Sequence, residues 1–159
     1  MGNAQDADLP ELQDAQVKSP HGACGRAVGF LMTAPELAKL SFGHVAGLIA
    51  GQVNRGDYFF VLDRDEKLVG YCGWVCITHA QADAWLNENR DTIDPDNTGG
   101  PVCAISLWKA SGPRANAAMV DAMRRRLPQT TEMVVARRIY RDGRIRPVRL
   151  AISPEQFNR

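Results

Sequence analysis

The stretch DYFFVLDRDEKLVGYCGW, residues 57–74, holds two apolar runs on either side of Arg64-Asp65-Glu66-Lys67. Aromatic and β-branched residues crowd both runs, and four consecutive charges continue neither. The stretch therefore predicts a β-hairpin with strands over 57–63 and 68–77. Antiparallel pairing then sits early in the chain, and the remaining elements have to be built around it.

Downstream, THAQADAWLNEN (78–89) has Thr78 as N-cap and an apolar line through Ala82 and Trp85-Leu86, which predicts a helix. DTIDPDNTGG (91–100) is a loop by its Asp, Asn, Pro and Gly content. PVCAISLWKA (101–110) alternates little, as a central strand covered on both faces does. SGPRANAAMVDAMRRRLP (111–128) predicts a helix capped by Ser111, with Ala115, Ala118, Met119, Ala122 and Met123 inward and three arginines at its negative dipole end. Residues 132–152 form a second hairpin about Asp142-Gly143.

Upstream, residues 25–53 predict a short helix, a break at Thr33-Ala34-Pro35, and a longer helix from about Glu36 to Val53. Leu37, Leu40, His44 and Leu48 share one stripe of the longer helix, and Gly43, Gly47 and Gly51 recur every four residues along another. An interior glycine costs about 1 kcal/mol against alanine, so something should approach that line closely. A neighbouring helix or strand is the simple occupant, and an acyl chain or pantetheine arm the functional one. Residues 1–24 are polar, acidic and Pro-broken and are expected to be a disordered extension, with a single domain over 25–159. The order ααββαβαββ makes this an α/β domain on a mostly antiparallel sheet.

At 159 residues the chain can bury a core without metals or disulfides. No apolar run is long enough to span a membrane and no secretory signal opens the sequence, so a cytoplasmic location is expected. The 4 cysteines, Cys24, Cys72, Cys76 and Cys103, form no CxxC, and the histidines are scattered, so reduced thiols and no metal site are expected. The net charge of +1 conceals a division: residues 1–113 carry 8 basic against 14 acidic side chains, residues 114–159 carry 11 against 4. A basic C-terminal part suits an acidic partner, a phosphate or a nucleic acid. No nucleic-acid-binding signature accompanies it, and the tryptophans lie outside the Arg-rich segment.

Tyr58, Tyr71-Cys72-Gly73-Trp74, Trp85-Leu86, the strand running to Gly112, the helix AMRRRLP and the Arg-rich last hairpin together resemble the toxin-activating lysine acyltransferases. The resemblance spans about residues 25–150. It implies a GNAT-like acyltransferase fold, transfer of a fatty acyl group from acyl carrier protein to a protein lysine, and homodimers as a common assembly. The co-substrate would be the phosphopantetheine thioester, with no tightly bound cofactor. Tyr71 and Trp74 would help wall the acyl site, as would Gly43 and Gly47.

The family's chemistry uses a His and an Asp, because a lysine ammonium must lose a proton before it can attack a thioester. This sequence departs from that pattern. Laid on without gaps, the family's Ser-x-x-His falls on Ala34-Pro35-Glu36-Leu37 and its strand Asp on Ser106. His44, on the stripe of Leu37, is the replacement base to be expected, with Ser106 as hydrogen-bond partner; Ser19-Pro20-His21 is the alternative. If neither serves, the chain is a catalytically silent paralogue that binds the carrier protein or an active partner. Acyl carrier proteins are acidic and their arm hangs from a phosphodiester, so Arg124, Arg125, Arg126, Arg137, Arg138 and Arg141 are the expected donor-binding residues. The stretch around Ser111-Gly112-Pro113-Arg114 lacks the Gly-rich loop with which acetyl-CoA enzymes of this fold hold pyrophosphate, favouring a carrier protein over CoA.

Overall fold

The computed structural model describes residues 11–87 and 99–152. Six strands form one sheet in chain order: β1 (Gln13–Ala15), β2 (Tyr58–Leu62), β3 (Leu68–Ile77), β4 (Val102–Ala110), β5 (Met133–Ile139) and β6 (Ile145–Ala151). Every neighbouring pair is antiparallel except β4 and β5, whose parallel pairing requires a crossover. The helices are α1 (Pro20–Leu31), α2 (Pro35–Ala38), α3 (Phe42–Arg55), α4 (His79–Asn87) and α5 (Pro113–Arg126), with α5 as that crossover.

The β2–β3 hairpin forms as its sequence predicts. Asp63 Oδ1 accepts the N–H groups of Asp65 and Lys67, closing the charged turn. The second hairpin turns at Asp142-Gly143, with Gly143 at φ 86° and the Tyr140 N–H donating to the Arg144 carbonyl. Thr78 and Gln81 exchange side-chain and backbone hydrogen bonds and cap α4. Three details differ from expectation. Gly112, not Ser111, is the N-cap of α5, and no side chain caps that helix. The helix expected over 36–53 is two helices, because Ser41 accepts the His44 N–H and starts α3 afresh.

The third difference is at the N-terminus, where order begins before Gly25. Gln13–Ala15 pairs with β2, the Gln16 amide donates to the Gly56 and Tyr58 carbonyls at 2.9 and 2.7 Å, and α1 starts at Pro20 under a Ser19 cap. These partners lie about forty residues away, so no local pattern announces them. Residues 1–10 and most of the loop expected over 91–100 lie outside the described residues.

Helices α1 and α3 cover one face of the sheet through Ala23, Ala27, Leu31, Val45, Ile49 and Val53, packed on Tyr58, Phe60, Tyr71 and Leu107. Helix α5 covers the other through Met119, Ala122 and Met123, against Phe59, Cys72, Trp74, Cys103 and Ile105. Helix α4 packs Ala82, Trp85 and Leu86 on Val75, Val102, Ala104 and Val135. Among the described residues no helix is long and apolar enough to cross a membrane.

Candidate active site

The sheet opens in its middle. Strands β4 and β5 pair from Val102↔Met133 to Ile105↔Ala136 and no further, although β4 continues to Ala110 and β5 to Ile139. Beyond Ile105 the β5-facing edge of β4 therefore has no strand partner. The ladder to β3 slips at the same level: Gly73 pairs with Leu107 and Trp74 with Ile105, which leaves Ser106 as the extra residue of a β-bulge. A bulge re-aims a side chain, and here it does so where the strands part.

Ser106 Oγ accepts a 2.7 Å hydrogen bond from Gln52 Nε2, and Gln52 Oε1 accepts one of 2.7 Å from the Tyr71 hydroxyl. Gln52 is 1% exposed and sits on the buried face of α3 beside Ile49 and Val53. Burial pushes the Tyr71 phenol far above its ordinary range, so it stays protonated and acts as a donor. That fixes the polarity of the chain Tyr71→Gln52→Ser106 and leaves the Ser106 proton free to point away from Gln52. Gly73 makes the arrangement fit, because a Cβ there would lie 2.0 Å from Gln52 Oε1.

Two cavities meet at this point. The one on the α3 side, about 450 Å³, is walled by Leu37, Leu40, His44, Gly47, Leu48, Val75, Trp85 and Ile145. The one on the α5 side, about 560 Å³, is bordered by Glu36, Trp108, Asn116, Arg138, Tyr140 and Arg141. Leu37, Ser106, Arg137 and Ile139 line both. A third hollow, about 540 Å³, continues from the α5-side cavity along Thr33, Glu36, Lys109 and Arg138 to Gly112 and Pro113 at the start of α5.

His44 and Ser106 line the same cavity, and the stripe of Leu37, Leu40, His44 and Leu48 lies along it despite the break between α2 and α3. His21 is exposed in the first turn of α1 and borders none of the three hollows. Of the glycines, Gly51 is occupied by its own helix, since a Cβ there would come 2.8 Å from Arg55 Nη1, whereas a Cβ at Gly43 or Gly47 would meet nothing within 4 Å. The neighbouring element expected over that line is not there. Gly47 instead opens onto the cavity. Tyr71 and Trp74 lie in different cores, Tyr71 under α3 and Trp74 under α5, and neither borders the cavities; Tyr71 reaches the site only through Gln52.

The six arginines divide in the same way. Arg137 lies at the crossing, stacked 4.9 Å over Trp85 with its Nε donating to the Trp85 carbonyl at 2.8 Å. Arg138 and Arg141 border the α5-side cavity and the third hollow. Arg124, Arg125 and Arg126 end α5, roughly 20 Å from the hollow at its start for a helix of this length. There Arg125 and Arg126 grip Asp14 of β1 at 2.8 and 2.6 Å, and Arg124 lies 3.7 Å from Asp121. Sequence reasoning missed Gln52, Glu36 and Lys109. Gln52 carried a signal, a polar residue three positions after Ile49 on the buried side of an amphipathic helix.

No family model matches the sequence, and no curated protein does. Among solved structures, the loading GNATL domain of CurA from Lyngbya majuscula superposes with a TM-score of 0.55 at 15% identity, covering 85% of this chain and 67% of that one. The fold is that of the GNAT acyltransferases. A GNAT-family acetyltransferase from Listeria monocytogenes shares 7% identity at a TM-score of 0.43, over 84% of this chain and 78% of that chain. In this GNAT-like fold the parted strands, the bulge and the two cavities form one continuous feature through the sheet.

Proposed function

We propose that the chain binds the phosphopantetheine thioester of an acyl carrier protein between β4 and β5 and transfers its fatty acyl group to a protein lysine, as a relative of the toxin-activating lysine acyltransferases. The observation that carries this reading is the parting of β4 from β5 at the Ser106 bulge, with a cavity on each face. An extended arm with amide groups suits the unpaired edge of β4 as a missing strand would. Lys109, Arg138, Arg141 and the uncapped start of α5 offer positive charge to its phosphate. The description of the CurA domain as a loading domain also accords with a carrier-bound donor.

The leucine-rich α3-side cavity suits an alkyl chain, each buried methylene contributing about 0.8 kcal/mol. In the transfer step the neutral lysine amine attacks the thioester carbon, the C–N bond forms and the C–S bond breaks. His44 takes the amine proton and passes it to the departing thiolate, which leaves as the thiol. The free Ser106 proton hydrogen-bonds the carbonyl oxygen as it gains charge, held there by Gln52 and Tyr71.

One observation favours a second reading. Leu37, at the position where the family carries its histidine, lines both cavities and puts an apolar side chain at their junction. A silent donor-binding paralogue would be built this way. Incubation with a long-chain acyl carrier protein and a lysine-bearing acceptor, followed by intact mass of each component and a binding titration, separates the two. Acyl transfer abolished by His44→Ala supports the enzyme; tight binding without transfer supports the silent partner; no binding refutes both.

A further inference from the structure

Glu36 lies in a one-turn helix, α2, and neither the core nor the transfer chemistry above uses it. Its Oε2 is buried and has no hydrogen-bond partner, one of two such side-chain atoms among the described residues. A carboxylate oxygen with no protein donor leaves hydrogen-bonding capacity unused. The other atom, Trp74 Nε1, lies in the core under α5. Glu36 borders open space, both the α5-side cavity that contains Ser106 and the hollow that leads to the start of α5.

Cations stand around the same space without satisfying it. Arg138 and Arg141 border both hollows, with Arg138 stacked 5.1 Å over Tyr140. Lys109 donates its Nζ elsewhere, to the Phe30 carbonyl at 2.8 Å and to Thr33 Oγ1. A donor group entering the cavity can supply the missing hydrogen bond once the carboxylate turns toward the space it borders. Its chemistry is constrained from two sides: an anion is repelled by Glu36, and an ammonium is repelled by Lys109, Arg138 and Arg141. A neutral N–H or O–H group fits both.

We propose that Glu36 accepts a hydrogen bond from an amide N–H or the hydroxyl of the phosphopantetheine arm and so sets how deeply the arm sits. This deepens the donor reading given above and rests on it. With the phosphate near Lys109, Arg138, Arg141 and the start of α5, an arm reaching for Ser106 passes from the third hollow into the α5-side cavity, and Glu36 borders both. Between phosphate and sulfur the arm presents one hydroxyl and two amide N–H groups. The carboxylate discriminates in favour of such an arm and against a plain alkyl phosphate.

The test is calorimetric titration of the full chain with pantetheine, with 4′-phosphopantetheine, and with analogues in which each amide is replaced by an ester or the hydroxyl is removed. For the unaltered chain, one of these replacements should weaken binding about tenfold to a hundredfold. Glu36→Met should weaken the parent ligands to the same extent, erase the difference between parent and that analogue, and keep the preference for the phosphorylated arm. Its unfolding midpoint without ligand should be no lower than that of the parent protein, because the substitution removes a buried unpaired oxygen. Equal binding of all analogues by the unaltered chain overturns the assignment, and so does full affinity in Glu36→Met. The analogue series decides even if the variant folds poorly. Failure of the unaltered chain to bind any pantetheine refutes the donor reading itself, a result distinct from binding that ignores Glu36.

Discussion

A methyl group added at position 73 has no room. In Gly73→Ala the new Cβ would lie 2.0 Å from Gln52 Oε1, 2.2 Å from Cδ and 2.7 Å from Nε2. The end of a glutamine can swing aside, but here a swing breaks both 2.7 Å hydrogen bonds, to Tyr71 and Ser106, in a side chain that is 1% exposed. Stranding the buried Tyr71 hydroxyl costs about 1–3 kcal/mol and losing the second bond about 0.5–1.5 kcal/mol. Against this, alanine stiffens the unfolded chain by about 0.4–1 kcal/mol. The expected net loss is about 1–4 kcal/mol, or a fall in Tm of roughly 3–12 °C for a chain of this size. Thermal and urea unfolding of Gly73→Ala, Gln52→Ala and the double variant provide the test. Once Gln52 is truncated the clash has no partner, so Gly73→Ala should cost almost nothing in that background, a coupling of about 1–4 kcal/mol. Equal destabilisation in both backgrounds, or none in the parent, would refute the relay as described.

Other outcomes follow from the same geometry. Burial pushes the Asp14 carboxyl up, but the hydrogen bonds and charges of Arg125 and Arg126 outweigh it and hold the group below its ordinary 3.8; its contribution is present above that value and lost as pH falls through the lower folded value, so urea midpoints should decline less with acidification in Asp14→Asn than in the parent. Arg125→Glu should cost stability, by about 1 kcal/mol or less for so exposed a pair, and leave donor affinity unchanged. Arg138→Glu should instead weaken carrier-protein binding, most strongly at low salt, as titration at two ionic strengths would reveal. Leu37→His with Ser106→Asp, which places there the His and Asp of the family that the sequence resembles, should raise acyl transfer by at least about 10²-fold in a mass assay; no gain with donor binding intact would mean that the cavities do not position an acceptor.

The two hairpins and the central strand were legible because their signals are local: alternation, aromatic content and a turn residue that tolerates positive φ. Helix α5 was legible for the same reason, down to Met119, Ala122 and Met123. What escaped depends on distant partners. Strand β1 has three residues and is held by β2 and by arginines more than a hundred positions away. The break between α2 and α3 is set by Ser41, a capping residue that an unbroken apolar stripe obscures. The stripe through His44 was legible as a face, while the sequence gives no sign that the face borders a cavity and that the core-facing line runs through Val45, Ile49, Gln52 and Val53. The arginines were legible as a charge excess only. Which of them face the cavities and which fasten the edge of the sheet is decided by the length and direction of α5.

A sequence selected only for stability would not contain this set of departures in one place. Two glycines lie in a helix with nothing packed on them, a glutamine is buried in a core of leucines and aromatics, a strand bulges and parts from its neighbour, and a carboxylate oxygen is buried without a donor. Each costs of the order of 1 kcal/mol or more, and the total is comparable to a substantial share of a domain's net stability. Were they scattered, each would need its own explanation. All of them except Gly43 border or support the two cavities that meet at Ser106, and the fold supplies compensation nearby: Tyr71 for Gln52 and Gly73 for the room it needs. Concentrated cost of this kind is what a preformed site requires, because groups that must meet a ligand cannot also be satisfied by the protein. Donor binding is therefore the property to measure before catalysis. The open space beside Glu36 and the unpaired edge of β4 are there whether or not His44 can move a proton.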